Sequence, residues 1–295
     1  MYLTRHETAG GPRWALDGGF LPPTFTLELL LQMPKAAVAG FLRAFPKGAP
    51  TSGARLLAPV EPTQEVWAAG VTYLRSRDAR EEESAVKDVY TRVYEAKRPE
   101  LFFKAPGWRV AGHDMPIRVR HDSAWNVPEP ELAIVINSAG EIVGHTVCND
   151  VSSRDIEGDN PLYLPQATVY NGSCAVGPGN HVGNTARLRD LTIALEITRA
   201  GRIAFTGETR TSQIKRSLDE LADFLFMELD FPKGAILSTG TGIVPGQDFS
   251  LTHGDVVAIT IGGADDVTTM TLENEVAGKS GAGQPTSRQA LKSKR

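Results

Sequence analysis

Two apolar runs, residues 131–137 (ELAIVIN) and 142–149 (IVGHTVCN), stand on either side of the tetrad Ser138-Ala139-Gly140-Glu141. β-Branched segments joined by so short a Gly-containing connection read as a β-hairpin. A second such pair, residues 191–199 and 203–206, surrounds Ala200-Gly201-Arg202, and strands are expected again over 256–261 and 267–272. Helical patterning is confined to residues 35–45, to 74–94 and to a stripe of Ile214, Leu218, Leu221 and Leu225. These helices do not alternate with the strands in a βαβ rhythm, which argues against a doubly wound sheet. The expectation is an α+β chain, mostly β: a mixed, mostly antiparallel β-roll with a few peripheral helices.

Pro59 and Pro62 mark a connection, because each restricts itself and the residue before it. A small β-rich N-terminal domain is therefore expected over residues 1–61, followed by a larger domain over 62–277. The remaining segment, 278–295 (GKSGAGQPTSRQALKSKR), is small, polar and basic, a composition expected to stay disordered.

The formal net charge of −4 supplies no global basic field, so neither nucleic acid nor an anionic membrane is an expected partner. Neither a signal-peptide core nor an apolar run of about 20 residues is present, and a soluble cytoplasmic protein is expected. Two cysteines, Cys148 and Cys174, are too few for a disulfide framework and read as reduced thiols.

The mouth of the first hairpin carries the chemistry. Glu129 and Glu131 are two apart at a strand end, so both project from one face, and the hairpin returns Asp150 towards them. Three convergent carboxylates repel one another unless a cation neutralises them. A hard ion with oxygen ligands does so; Mg²⁺ keeping several waters fits best, with Mn²⁺ or Ca²⁺ as alternatives. Zinc is disfavoured, because the six histidines are scattered and no His/Cys cluster has ligand spacing. On spacing alone the three acids also read as solvated charges at strand ends.

The stretches PEPELAIVIN and GEIVGHTVCNDVSSRDIE resemble the metal-binding core of the fumarylacetoacetate hydrolase family. The resemblance continues through YNGSCAVGP (170–178), STGTG (238–242) and GDVV (254–257), covering about residues 62 to 277. It implies the family's β-roll, Glu129, Glu131 and Asp150 as ligands of the divalent ion, and a homodimer or homotetramer. The family's carbon–carbon hydrolases carry a His and a Glu in a G-x-N-Y-x-x-H-x-x-E segment. Here residues 70–79 place Ser76 and Ala79 at those positions. Serine lacks the near-neutral pKa of a useful base, which argues against hydrolysis.

The segments GVTYLRSRDAREEES (70–84), RPELFFK (98–104), WNVPEPE (125–131) and EGDNPLYLPQA (157–167) resemble the family's 2-keto-3-deoxy-D-arabinonate dehydratase branch. That implies a hydro-lyase of pentose catabolism: a 2-oxo acid substrate, acidified at C3 by a cation-stabilised enolate, expels its C4 hydroxyl. Glu100 and Glu157 are the candidate acid and base. Lys104 and Arg154 are candidates for binding the substrate carboxylate or organising the ligands. Ser76, Thr168, Thr239 and Thr241 are further candidate substrate contacts. Residues 159–167 are expected to form a lid, with Tyr163 and Gln166 reaching inward. One departure stands out: the family's K-x-[FY]-D segment reads Thr168-Val169-Tyr170-Asn171, so both charges are absent. Lys104 or Arg154 replaces the lost charge, the substrate is a different 2-oxo acid, or the chain binds its ligand with little turnover. A diketo-acid hydrolase or decarboxylase is the remaining alternative.

Overall fold

The computed structural model describes residues 1–46, 48–83, 88–183, 185–262 and 269–277. The basic segment 278–295 and the start of the strand expected over 267–272 lie outside the described residues. The N-terminal segment supplies strands β1 (Tyr2–His6), β2 (Arg13–Leu16), β3 (Gly19–Phe20) and β4 (Leu56–Leu57), with helices α1 (Leu27–Leu31) and α2 (Lys35–Arg43) between. Thr26 starts α1, its side chain accepting from the Leu29 N–H and satisfying one of the free donors of the first turn.

The main body begins with β5 (Glu65–Gly70), α3 (Leu74–Glu83), α4 (Asp88–Glu95) and β6 (Glu100–Pro106). It continues through β7 (Asn126–Val127), β8 (Pro130–Ile136), β9 (Ile142–Asp150), β10 (Ser152–Ser153), α5 (Arg154–Asp159) and α6 (Leu164–Thr168). It closes with β11 (Cys174–Val182), β12 (Thr192–Arg199), β13 (Arg202–Arg210), α7 (Leu218–Phe226), β14 (Ala235–Ser238), β15 (Val256–Gly262) and β16 (Met270–Glu275).

The large sheet runs β3-β2-β1-β11-β9-β8-β14-β5-β6, with β4 beside β1. A second sheet runs β13-β12-β15-β16, and β7 pairs with β10. Neighbouring strands are antiparallel except β14 and β5, so the expected mixed, mostly antiparallel β fold is the one observed. Both strands of the central hairpin are buried at every position. Alternate residues of β8 face opposite layers, which is why its sequence is apolar without a polar alternation. Leu132, Ile134 and Ile136 pack with Leu195, Ile197 and Ile259 of the second sheet. Val135 and Val143 instead join Trp14, Phe25, Leu30 and Val38 of the N-terminal segment. β1 pairs directly with β11, so the first residues extend the same sheet.

The stripe expected as one helix is α7 only from Leu218, after Ser217 caps it by accepting from the Glu220 N–H. Ile214 ends a preceding 3₁₀ turn and is buried there. The helical residues expected over 74–94 are α3 and α4. Both cysteines are free and buried. No helix among the described residues is long and apolar enough to cross a membrane.

Candidate active site

The register of the hairpin assembles the acids. Glu131 faces Cys148 across β8 and β9, and the Asp150 N–H donates to the Glu129 carbonyl at 3.0 Å. Glu129, Glu131 and Asp150 are 5%, 2% and 2% exposed, yet all three line one narrow cavity. The lining also includes Gly70, Ser76, Arg80, Glu100 and Glu157, from β5, α3, β6 and α5.

Each acid is held differently. Glu129 Oε1 lies 3.1 Å from both Arg80 and Arg154. Burial alone would raise the Glu129 pKa, but Arg154, Arg80 and Lys104 outweigh it and hold the group below the usual carboxylate range. Glu131 Oε2 accepts from Ser238 Oγ at 2.6 Å and from the Gly240 N–H at 2.7 Å. Burial, with Asp150, Cys148 and Glu129 nearby, pushes Glu131 well above that range. Asp150 pairs with the Lys104 ammonium and accepts from Thr168 Oγ1 at 2.6 Å. Burial raises it, with Lys104 opposing. In the same lining Glu157 pairs with Arg80. Burial pushes Glu100 up to about 7, with the charges of Glu157 and Glu129 adding and Arg80 opposing.

Among the described residues no three Asp, Glu, His or Cys side chains already stand as a ligand set. The oxygens named above are taken by protein donors instead. The donor chemistry nevertheless fits a hard divalent ion. Five carboxyl groups (Glu100, Glu129, Glu131, Asp150, Glu157) meet three cationic side chains (Arg80, Lys104, Arg154). Burial holds Glu131 above the usual carboxylate range, and a divalent ion beside it would supply the positive charge that favours its ionised form.

Several expected substrate contacts are placed elsewhere. Tyr163 is 40% exposed and the Gln166 side chain is exposed, so neither reaches inward. Helical spacing explains this: Leu164, Ala167 and Thr168 form the inner face of α6, leaving Tyr163 and Gln166 outside it. From the segment 159–167 it is Leu164 that lines the cavity. Thr239 lies outside the lining, its hydroxyl spent on the Leu132 carbonyl at 2.8 Å. Thr241 and Ser76 do line it, although the Thr241 hydroxyl also donates to the Pro130 carbonyl at 3.1 Å. Arg154 is fully buried behind Glu129, where it organises a candidate ligand and does not face the cavity.

Lys104 and Thr168 form a unit that no local pattern announces. Lys104 is 0% exposed, and its ammonium reaches the Thr168 carbonyl and hydroxyl, the Val151 carbonyl at 3.3 Å and Asp150. The charge absent at position 168 therefore arrives from β6. It sits outside the cavity lining and pairs with Asp150, to which the Thr168 hydroxyl also donates. Arg80 is the functional candidate that sequence reasoning missed. It follows Ser76 by four residues on α3, and that spacing puts both side chains on one face.

A β-roll holding one narrow cavity lined by five carboxyl groups and Arg80 has the side chains of an enzyme site built for acid–base or cation chemistry. Residues 65–277 match the fumarylacetoacetate (FAA) hydrolase C-terminal family, and the chain belongs to that family. The 2-dehydro-3-deoxy-D-arabinonate dehydratase of Saccharolobus solfataricus is 44% identical over 215 residues, 70% of this chain and 71% of that protein. A probable 2-keto-3-deoxyxylonate dehydratase of Haloferax volcanii is 48% identical over 219 residues, 74% of this chain and 73% of that protein. A structure of 2-keto-3-deoxy-D-arabinonate dehydratase complexed with magnesium and 2,5-dioxopentanoate aligns with TM-score 0.79 at 34% identity, covering 95% of this chain and 99% of that one. Within the family the similarity lies with the dehydratase branch, and the chain is an enzyme of this family.

Proposed function

We propose that this enzyme is a Mg²⁺-dependent hydro-lyase that removes water from a 2-keto-3-deoxy sugar acid of five carbons. The observation that carries the reading is one cavity whose lining brings Glu129, Glu131 and Asp150 together with Glu100 and Glu157. The relatives support the substrate class: two are named dehydratases of such acids. The 2,5-dioxopentanoate bound in the related structure has the composition of a 2-keto-3-deoxypentonate less one water.

Glu129, Glu131 and Asp150 would hold the cation, with Arg154 and Lys104 orienting the first and last of them. When bound, such an ion supplies the positive charge that polarises a 2-oxo acid and acidifies its C3 protons. Glu157 is the candidate acceptor of a C3 proton. Glu100 is the candidate donor to the departing C4 oxygen, because a carboxyl pushed up to about 7 still holds its proton near neutrality. The C3–H and C4–O bonds break, a C3–C4 double bond forms and water leaves. The pair reads as acid and base because one carboxyl lies against Arg80 and the other against Gly70. Ser76 and the buried, apolar Ala79 offer no alternative base on α3.

Mass-spectrometric turnover of 2-keto-3-deoxypentonates with Mg²⁺ tests this reading. Loss of one water is expected, abolished by chelator and by Glu129→Ala. Full turnover in chelator, or cleavage of a carbon–carbon bond, would sink it. Binding of the acid with no turnover by the natural chain would replace it with a 2-oxo acid binder.

A further inference from the structure

Gly70 ends β5 and stands directly opposite Glu100, the first residue of β6. Its φ is not in the left-handed region, so backbone freedom does not explain a glycine inside this strand. Space does. A Cβ built on Gly70 would lie 2.1 Å from Glu100 Oε2 and 2.7 Å from its Cδ. The Glu100 side chain thus crosses the strand and occupies the volume in which any other residue would begin its side chain. Both residues line the cavity of the three candidate ligands. The next residue, Val71, is β-branched yet adopts φ 52°, a conformation that such side chains avoid. The chain therefore accepts an unfavourable turn immediately after the point where Glu100 is seated, as segments at functional sites do.

We propose that Gly70 is a positioning residue: its missing side chain is the seat that lets the Glu100 carboxyl lie across β5 and face the cavity. The proposal rests on the reading of Glu100 as the proton donor of a dehydratase. It is distinct from a packing role, because the three atoms nearest the added Cβ all belong to the far end of one flexible side chain, that of Glu100. Gly70→Ala should therefore fold, and what moves is the carboxyl.

The test combines kinetics with crystallography on the full chain in Mg²⁺. Gly70→Ala is expected to lower kcat about tenfold or more while KM, Mg²⁺ affinity by calorimetry and melting temperature stay near the natural values. The same substitution placed in Glu100→Gln should cost almost nothing further, because the group it displaces no longer transfers a proton. Glu100→Asp, one methylene shorter, should likewise blunt the effect of Gly70→Ala. A crystal structure of Gly70→Ala should show the Glu100 carboxyl turned away from the cavity. Undiminished kcat, an equal loss in the Glu100→Gln background, or an unmoved carboxyl would each overturn the proposal. If the natural chain dehydrates no pentonate, the functional reading fails separately, and the position of the carboxyl in the Gly70→Ala crystal still decides the seat.

Discussion

Lys104→Met isolates the buried ion pair between Lys104 and the candidate metal ligand Asp150. Methionine keeps the length and apolar stem of lysine, so little cavity is opened and the change is one of charge. The ammonium is completely buried and is the cation paired with Asp150, itself 2% exposed. Removing one partner of a buried ion pair leaves the other uncompensated, at a cost of about 3–5 kcal/mol. For a domain of this size each kcal/mol moves the melting temperature by roughly 2–4 °C, so a fall of about 6–20 °C is expected in metal-free buffer at pH 7. Mg²⁺ should return part of it, because a divalent ion gives Asp150 another counter-charge. Thr168 touches both Lys104 and Asp150, so a lysine at 168 can deliver its ammonium to the same place. Lys104→Met/Thr168→Lys should therefore recover most of the loss, and differential scanning calorimetry reads all three states. A Lys104→Met protein melting within about 2 °C of the natural one would refute the argument that this lysine holds Asp150.

Glu129→Ala should remove the Mg²⁺-dependent rise in melting temperature along with turnover, since a lost ligand weakens both; an undiminished Mg²⁺ shift would place the ion elsewhere. With Glu100 pushed up to about 7 and acting as donor, kcat/KM should fall as pH rises past about 7. Glu100→Gln should erase that limb and cost about 10²- to 10⁴-fold, and a natural profile flat from pH 6 to 9 would count against the role (roughly the span in which the limb must lie). Asp255 offers a test away from the site. Burial alone would raise it, but donors from Arg199 and Thr252 hold it below its usual value. A depressed carboxyl contributes stability that is present above its unfolded pKa of about 3.9 and is lost as pH falls through the folded value. Arg199 is 42% exposed, so Arg199→Ala should cost only about 1 kcal/mol near pH 7. The gap should close below about pH 3.9, and urea unfolding at several pH values would expose a gap that persists.

What was legible in advance was whatever one hairpin determines by itself. Period-two alternation put Glu129 and Glu131 on one face, the Ser138–Glu141 turn brought Asp150 back to them, and burial on both sides kept β8 and β9 apolar. The mostly β class followed from the same local rules together with the missing βαβ rhythm. Motif order added the family and the candidate pairing of Glu100 with Glu157. Contacts between distant elements were a different matter. Tyr163 and Gln166 were expected inside because their segment borders the site, yet the rotation of α6 against its neighbours turned them outward. Thr239 was lost to the Leu132 carbonyl, since a buried backbone acceptor must find a donor. Nothing local says that Lys104 will meet Thr168, 64 residues later, or that Arg80 will bridge Glu129 and Glu157. Backbone periodicity fixes which way a side chain leaves its own element. Which charges then share one low-dielectric cavity is decided by how sheets and helices pack, and only there do burial and pairing determine the chemistry of each carboxyl.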